Sequence, residues 1–126
     1  MGLALTVLGG SPAWPNPGQA ASGYLVESER ARVLLDCGSG IASELRAHDP
    51  GPLTDIVISH FHADHWFDLV PLHYAHRYGS WADGRPGLAD VAVPNDAVPV
   101  LACGLCGSDV EKIGSPAFAG SVLGHE

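Results

Sequence analysis

The chain has 126 residues, 14 acidic and 6 basic side chains, and a formal net charge of −8. Hydrophobic residues make up 46% of it, which excludes a disordered tail, and the excess of acid argues against a nucleic-acid-binding protein with a broad basic face. No apolar run approaches the roughly 18 residues of a membrane span. The first residues lack the positive charge of a signal peptide, and three cysteines cannot all pair within the chain. We therefore expect a cytoplasmic protein without a membrane partner.

The first third of the chain is predicted to be rich in β-structure. Residues 3–8 predict a strand, and the prolines and glycines of residues 9–18 predict a loop. Residues 22–26 and 31–35 flank a charged turn and predict a β-hairpin. The buried face of this hairpin is predicted to consist of the alternating apolar residues Tyr24, Val26, Val33 and Leu35.

The middle of the chain predicts alternating helices and strands. A helix is expected over residues 40–47, because Ile41 and Leu45 lie four residues apart on one face, and residues 49–52 (DPGP) end it. Residues 54–59 (TDIVIS) predict a strand, and their continuous apolar centre indicates burial on both faces.

A second helical region is predicted after residue 65. A new helix is expected over residues 71–78, because proline suits a first helical turn and Gly79 can close the helix. After residue 81 the composition changes to a turn-rich break, followed by an apolar segment that contains two prolines.

The strongest chemical signal lies directly after the strand predicted over residues 54–59. Three histidines and one aspartate fall within six residues, at His60, His62, Asp64 and His65. In an extended backbone His60 and His62 point the same way and can hold one ion, while Asp64 and His65 can face a second one. Imidazole and carboxylate ligands suit zinc, with manganese or iron as alternatives, and a two-metal site can activate water and clamp an oxyanion. The competing interpretation is a solvated loop in which histidines cluster by chance.

Residues 60–65 (HFHADH) resemble the H-x-H-x-D-H signature of the metallo-β-lactamase-fold hydrolases, and the resemblance covers about residues 3–85. It implies that His60 and His62 bind one metal ion, that Asp64 and His65 bind another, and that Asp64 also orients or deprotonates the attacking water. Asp36, after an early strand, resembles the family's structural aspartate. Residues 66–72 (WFDLVPL) look more like the ribonuclease Z and phosphodiesterase branch than like true β-lactamases.

The resemblance also implies ligands that this sequence does not offer. The family is built from two αβ halves, and its second half supplies another histidine, a metal-bridging aspartate and a last histidine. After residue 65 the only histidines are His73, His76 and His125. His73 and His76 lie three apart on a predicted helix, a spacing more typical of surface or helix-packing residues. The sequence therefore predicts about half of a dinuclear site.

The last part of the chain carries a second resemblance. Residues 101–109 (LACGLCGSD) and 124–126 (GHE) look like the zinc-dependent medium-chain alcohol and polyol dehydrogenases. That resemblance implies Cys106 and His125 as zinc ligands. The alternatives are a small structural metal clip or an inert loop pair made by Cys103 and Cys106. No G-x-G-x-x-G fingerprint follows a predicted strand, so the cofactor-binding signature of such an oxidoreductase is missing.

Together these patterns predict an α+β fold: one αβ half of a metallo-β-lactamase sandwich, with a mixed sheet covered by helices on one face, and an irregular C-terminal tail. We expect a first unit over residues 1–87 and a tail over residues 88–126. The end of the chain, which enters an apolar stretch three residues before it stops, fits a fragment or a fusion.

The function predicted from the sequence is that of a zinc-dependent hydrolase. Water activated by one or two metal ions would attack a phosphodiester or related ester, so the substrate is expected to be a small molecule or another phosphodiester. Turnover by this chain alone is expected to be weak or absent. The alternatives are a non-catalytic zinc-binding fragment or fusion product that needs a partner, with self-association as one route to completion, and a fragment of an alcohol-dehydrogenase-type oxidoreductase.

Overall fold

The computed structural model describes residues 2–77 and 90–94. Its five strands form one mixed sheet in the order β1-β2-β3-β4-β5, in which the first three strands are antiparallel and the last three are parallel. The predicted α+β class, with a mixed sheet, is confirmed. The elements in chain order are β1 (Ala4–Gly9), β2 (Gly23–Glu27), β3 (Arg32–Leu35), α1 (Ile41–His48), β4 (Asp55–Val57), α2 (Ala63–Trp66), α3 (Leu69–Arg77) and β5 (Asp90–Ala92).

The predicted hairpin is confirmed, but its predicted buried face is wrong. β2 and β3 pair antiparallel with Leu25 opposite Leu34, and these two side chains are fully buried. The apolar residues of the opposite face are half-buried or exposed, with Leu35 38% accessible. Both faces of the hairpin are apolar, so the alternation located the strands without deciding which face the helices would cover.

The core lies on the face of the sheet that carries Leu25 and Leu34. The same row continues through Ile56 of β4 and Val91 of β5, both almost inaccessible to solvent. α1 and α3 pack onto this row, and the prediction that one face of the first helix would be buried is confirmed. Burial of one large aliphatic side chain stabilises a fold by roughly 1.5–3 kcal/mol. The helix residues that complete this core are Ile41, Leu45, Leu69 and Leu72.

Three elements differ from their predicted bounds by more than one residue. β4 is shorter than residues 54–59, and beyond its carboxyl end the Ser59 N–H donates to the Asp36 side chain. α2 begins at Ala63 rather than after residue 65, so Asp64 and His65 lie in its first turn. α3 begins at Leu69 instead of residue 71, and its proline still falls in the first turn, where the missing N–H has no helical partner.

β5 extends the sheet beyond residue 87. It pairs in parallel with β4, so three residues of the segment predicted as a tail belong to the same sheet as the first unit. The division at residues 87 and 88 stays a prediction. The tail residues Cys106 and His125 lie outside the described residues. Within residues 2–77 and 90–94 no helix has the length and apolar character needed to cross a membrane.

Candidate metal centre

The centre is built on the turn that follows β3. Asp36 is buried and adopts a left-handed backbone conformation with φ of 64°. One carboxylate oxygen of Asp36 accepts from the Ser59 N–H at 2.7 Å, and the Ser59 hydroxyl lies 2.9 Å from both oxygens. Because β3 and β4 are parallel, their carboxyl ends meet at one edge of the sheet, and Asp36 ties the two ends together.

Asp36 also orients His65. Its second oxygen lies 2.8 Å from His65 Nδ1, and both side chains are largely shielded from solvent. A carboxylate only accepts, so we assign a proton to Nδ1 from this contact. His65 Nε2 then faces the Asp64 carboxylate at 3.3 Å. These two atoms are close enough to act as ligands of one cation.

The other two histidines lie beside this pair. The backbone bends at Ser59 and His60 and is extended at His62, and the ring centroids of His60 and His62 are 4.8 Å apart. The ring of His60 also lies 4.0 Å from that of His65, and its Nδ1 is 3.0 Å from the Ser59 hydroxyl. The structure thus brings three imidazoles and the Asp64 carboxylate together at the end of β4.

The donor set suits zinc, although the donor atoms do not yet converge. In the part of the chain that the structure describes, no three His, Cys, Asp or Glu side chains are arranged to hold a metal ion. The rings of His60 and His65 instead lie against each other. His60 and His62 are exposed, so their rings can turn without disturbing the core. The metal-binding roles of His60, His62, Asp64 and His65 remain predictions.

An aromatic pair closes the loop that carries the histidines. The rings of Phe61 and Trp66 stack with centroids 4.7 Å apart and planes 19° from parallel. The Trp66 indole N–H donates to the Phe61 carbonyl at 3.3 Å, and both side chains pack against the core. The segment between His60 and His62 is therefore fixed to the end of α2 and to the core.

The turn after β3 also holds α2 through its backbone. The Cys37 N–H donates to the His65 carbonyl at 2.7 Å. A Cβ on Gly38 would overlap the Asp64 carbonyl oxygen, so only glycine permits this close approach. Burial raises the pKa of the Cys37 thiol well above its ordinary value, and the Asp68 and Asp36 carboxylates raise it further. Cys37 is therefore a neutral packing residue at pH 7.

Sequence reasoning missed several residues that shape this centre. Ser59 precedes the histidine cluster, yet its contact with Asp36 spans 23 residues and no local pattern signals it. Gly38 carried a local signal, since a glycine within a strand-end turn often marks a close backbone approach. His73 is buried on α3, which agrees with a helix-packing residue. The side chain of His76 lies outside the described residues.

The sequence model of the metallo-beta-lactamase superfamily matches residues 16–87 of this chain. This match covers more than half of the chain and includes every residue of the candidate metal centre. The chain belongs to the metallo-β-lactamase superfamily. The resemblance of the tail to alcohol dehydrogenases concerns residues beyond that match.

Particular relatives agree with this assignment. The chain is 39% identical over 80 residues to the probable metallo-hydrolase YhfI of Bacillus subtilis (strain 168), an alignment that covers 63% of the chain and 33% of the relative. It is 37% identical over 74 residues to zinc phosphodiesterase ELAC protein 1 of Homo sapiens, which covers 57% of the chain and 20% of that relative. The chain thus spans a fifth to a third of the curated relatives that it matches.

Solved structures show the same partial correspondence. The crystal structure of the metallo-beta-lactamase fold protein YhfI superposes with a TM-score of 0.69 and 30% identity, over 79% of this chain and 41% of that one. The structure of human tRNase Z, short form (ELAC1), superposes with a TM-score of 0.52 and 33% identity, over 60% of this chain and 30% of that one. The predicted partial metallo-β-lactamase fold is confirmed.

Proposed function

We propose that this chain carries the first half of a metal-dependent hydrolase site, with His60, His62, Asp64 and His65 as its zinc-binding residues. The observation that supports this proposal is the cluster itself: the His60 ring lies 4.8 Å from the His62 ring and 4.0 Å from the His65 ring. Imidazole and carboxylate are ordinary zinc ligands, with manganese or iron as alternatives in the same set.

The residues around the cluster have separable roles. Asp36 holds the Nδ1–H of His65 and so leaves Nε2 as the atom that can bind an ion. When bound, zinc lowers the pKa of a water molecule and stabilises negative charge on the substrate. The partly exposed Asp64 carboxylate can orient that water and accept its proton, which makes Asp64 the proposed catalytic residue.

The proposed substrate is a phosphodiester or a related ester. Similarity to a zinc phosphodiesterase supports this class of substrate. The net charge of −8 does not exclude a phosphate substrate that the protein holds through a metal ion. Because the chain spans only part of each relative, we expect weak or absent turnover from this chain alone.

A zinc titration of the whole chain by calorimetry, combined with an assay on a generic phosphodiester, tests the proposal. We expect zinc binding that is lost in the His60→Ala/His62→Ala double variant, and any turnover to be lost in Asp64→Ala. His48→Ala is the matched control, because His48 is an exposed histidine on α1 outside the cluster. Equal zinc binding by the double variant and the wild type would overturn the proposal. Robust turnover with two tightly bound ions would contradict the expectation that this chain alone has weak or absent turnover.

A second candidate is a non-catalytic zinc-binding protein or a subunit that a partner completes. The open face of the sheet favours it, since Leu5 and Val7 of β1 are each 65% exposed. One zinc ion per chain without hydrolysis of any ester would support the non-catalytic form. Activity that appears only as the protein self-associates would support completion by a second copy.

The alcohol-dehydrogenase-type alternative rests on Cys106 and His125, which lie outside the described residues, and it stays a prediction. Failure to bind a nicotinamide dinucleotide would exclude the oxidoreductase alternative. The cytoplasmic location also stays a prediction.

A further inference from the structure

Helix α1 starts without a capping side chain of its own. Gly40 occupies the N-cap position with φ of 95° and has no side-chain oxygen to offer the first N–H groups of the helix. Those N–H groups need acceptors, which a serine, threonine, aspartate or asparagine at this position would provide. In this protein the acceptor comes from a distant part of the chain.

Asp68 provides that acceptor. Its Oδ2 accepts from the Gly40 N–H and from the Ala42 N–H, both at 2.9 Å, across 28 and 26 residues of sequence. The carboxylate is partly buried and lies at the end of α1 where the helix dipole favours negative charge. Asp68 therefore links the start of α1 to the segment between α2 and α3.

The same aspartate lies three residues after His65. Its backbone N–H donates to the Cys37 carbonyl at 3.0 Å, while the Cys37 N–H donates to the His65 carbonyl at 2.7 Å. The end of α2 is thus attached to the turn after β3 at two backbone positions, and the Asp68 side chain adds a third attachment to α1.

This arrangement fixes the distance between Asp36 and His65. The two residues belong to segments that are far apart in sequence, and their 2.8 Å contact requires the turn after β3 and helix α2 to keep one relative position. If the Asp68 carboxylate is removed, the side-chain attachment between α1 and the chain after α2 is lost. The two N–H groups of α1 also lose their acceptor.

We propose, on the basis of the metal site proposed above, that Asp68 is a positioning residue, which holds α2 so that His65 and Asp64 face the ion in the orientation that Asp36 sets. Asp68 does not contact the ion. It acts through the start of α1 and the turn after β3. Residues that orient metal ligands commonly change metal affinity by about 10- to 100-fold when they are removed.

The test compares Asp68→Ala, Asp68→Asn and Glu44→Ala in the whole chain. Zinc affinity is measured by competition with a chelating indicator, and the exchange rates of the Gly40 and Ala42 amides are measured by NMR. We expect Asp68→Ala to weaken zinc binding about tenfold or more and to speed exchange of both amides. Asp68→Asn keeps an oxygen that can accept both N–H groups, so it should retain most of the affinity. Glu44 is an exposed acid in the first turn of the same helix, and its removal should change neither measurement.

A zinc-free readout separates this proposal from the proposed function. The ring ¹⁵N resonances of His65 report its contact with Asp36, and we expect them to shift in Asp68→Ala and to stay near the wild-type values in Asp68→Asn. If the wild type binds no zinc, the proposed function fails, and the His65 resonances still decide the role of Asp68. Faster amide exchange with unchanged His65 resonances would show that Asp68 only caps α1 and does not position His65. That result would overturn the proposal. If Asp68→Ala does not fold, Asp68→Glu replaces it, because the added methylene displaces the oxygens while the charge is kept.

Discussion

The two faces of the five-stranded sheet consist of similar apolar side chains in opposite environments. On one face Leu25, Leu34 and Ile56 form a continuous row that is fully buried under α1 and α3. On the other face Leu5 and Val7 are each 65% exposed. The candidate metal centre lies at the strand ends beside the closed face, where helices fix the turns. The comparison teaches that helix packing, rather than side-chain hydrophobicity, decides which face of this sheet contributes to stability.

Adjacent residues of β3 give the largest expected difference between the two faces. Leu34 is fully buried, and Leu35 is 38% exposed on the opposite face. We expect Leu34→Ala to lower the free energy of unfolding by about 2–5 kcal/mol, because it leaves a cavity in the core. Leu35→Ala should cost about 1 kcal/mol or less. Urea unfolding of both variants measures the difference. Equal losses would mean that the two faces are packed alike.

The same pair of faces shows how far the sequence could predict the fold. Period-2 alternation located β2 and β3 within one residue, but residues on both faces are apolar, so the pattern favoured Tyr24 and Val26 over the buried Leu25. The choice depends on where α1 and α3 pack, which is a tertiary contact that no local window contains.

The sequence likewise predicts one part of the candidate metal centre and not another. The two-residue spacing of His60 and His62 predicted that their side chains would point the same way in an extended backbone. Their ring centroids do lie 4.8 Å apart, although the backbone bends at His60 instead of continuing the strand. The contact of Asp68 with α1 could not be predicted, since it joins residues 28 apart and depends on a missing cap at Gly40. Cys106 and His125 belong to a pattern that the described residues do not reach.

A second prediction concerns the contacts of Asp36 with Ser59 and His65, at the strand ends beside the buried face of the sheet. In Asp36→Asn, one oxygen can still accept from Ser59, but the new amide group has no acceptor to offer His65 Nδ1–H. We expect a loss of about 1–3 kcal/mol in the free energy of unfolding, because a partly buried donor is left without its acceptor. Urea unfolding measures it. Asp49→Asn is the matched control, since Asp49 also has a positive φ, of 55°, but is exposed. A loss that is no larger than that of the control would contradict the structural role given to Asp36.

A third prediction uses the pH dependence of Cys37. Burial raises its pKa in the folded state, so the unfolded chain releases the thiol proton at a lower pH than the folded chain does. Below the ordinary thiol pKa of about 8.5 this group should not change stability with pH. Above that value stability should fall by up to about 1.4 kcal/mol per pH unit until the folded thiol ionises.

The measurement for Cys37 is the difference in unfolding free energy between the wild type and Cys37→Ala from pH 7 to pH 10. The difference should be constant up to about pH 8.5 and should then shift in favour of the variant. Other titrating groups are common to both proteins and cancel in this difference. A difference that stays constant to pH 10 would show that the thiol ionises as readily in the folded protein as in the unfolded chain.

The smallest expected effect tests whether the second face is open in the whole chain. Leu5 of β1 is 65% exposed, so Leu5→Lys should change the free energy of unfolding by no more than about 0.5 kcal/mol, and lysine is well tolerated on an edge strand. Leu8→Lys is the matched control, because Leu8 belongs to the same strand but is buried in the core, where an unpaired charge is costly. A loss from Leu5→Lys that approached the loss from Leu8→Lys would show that this face is covered in solution.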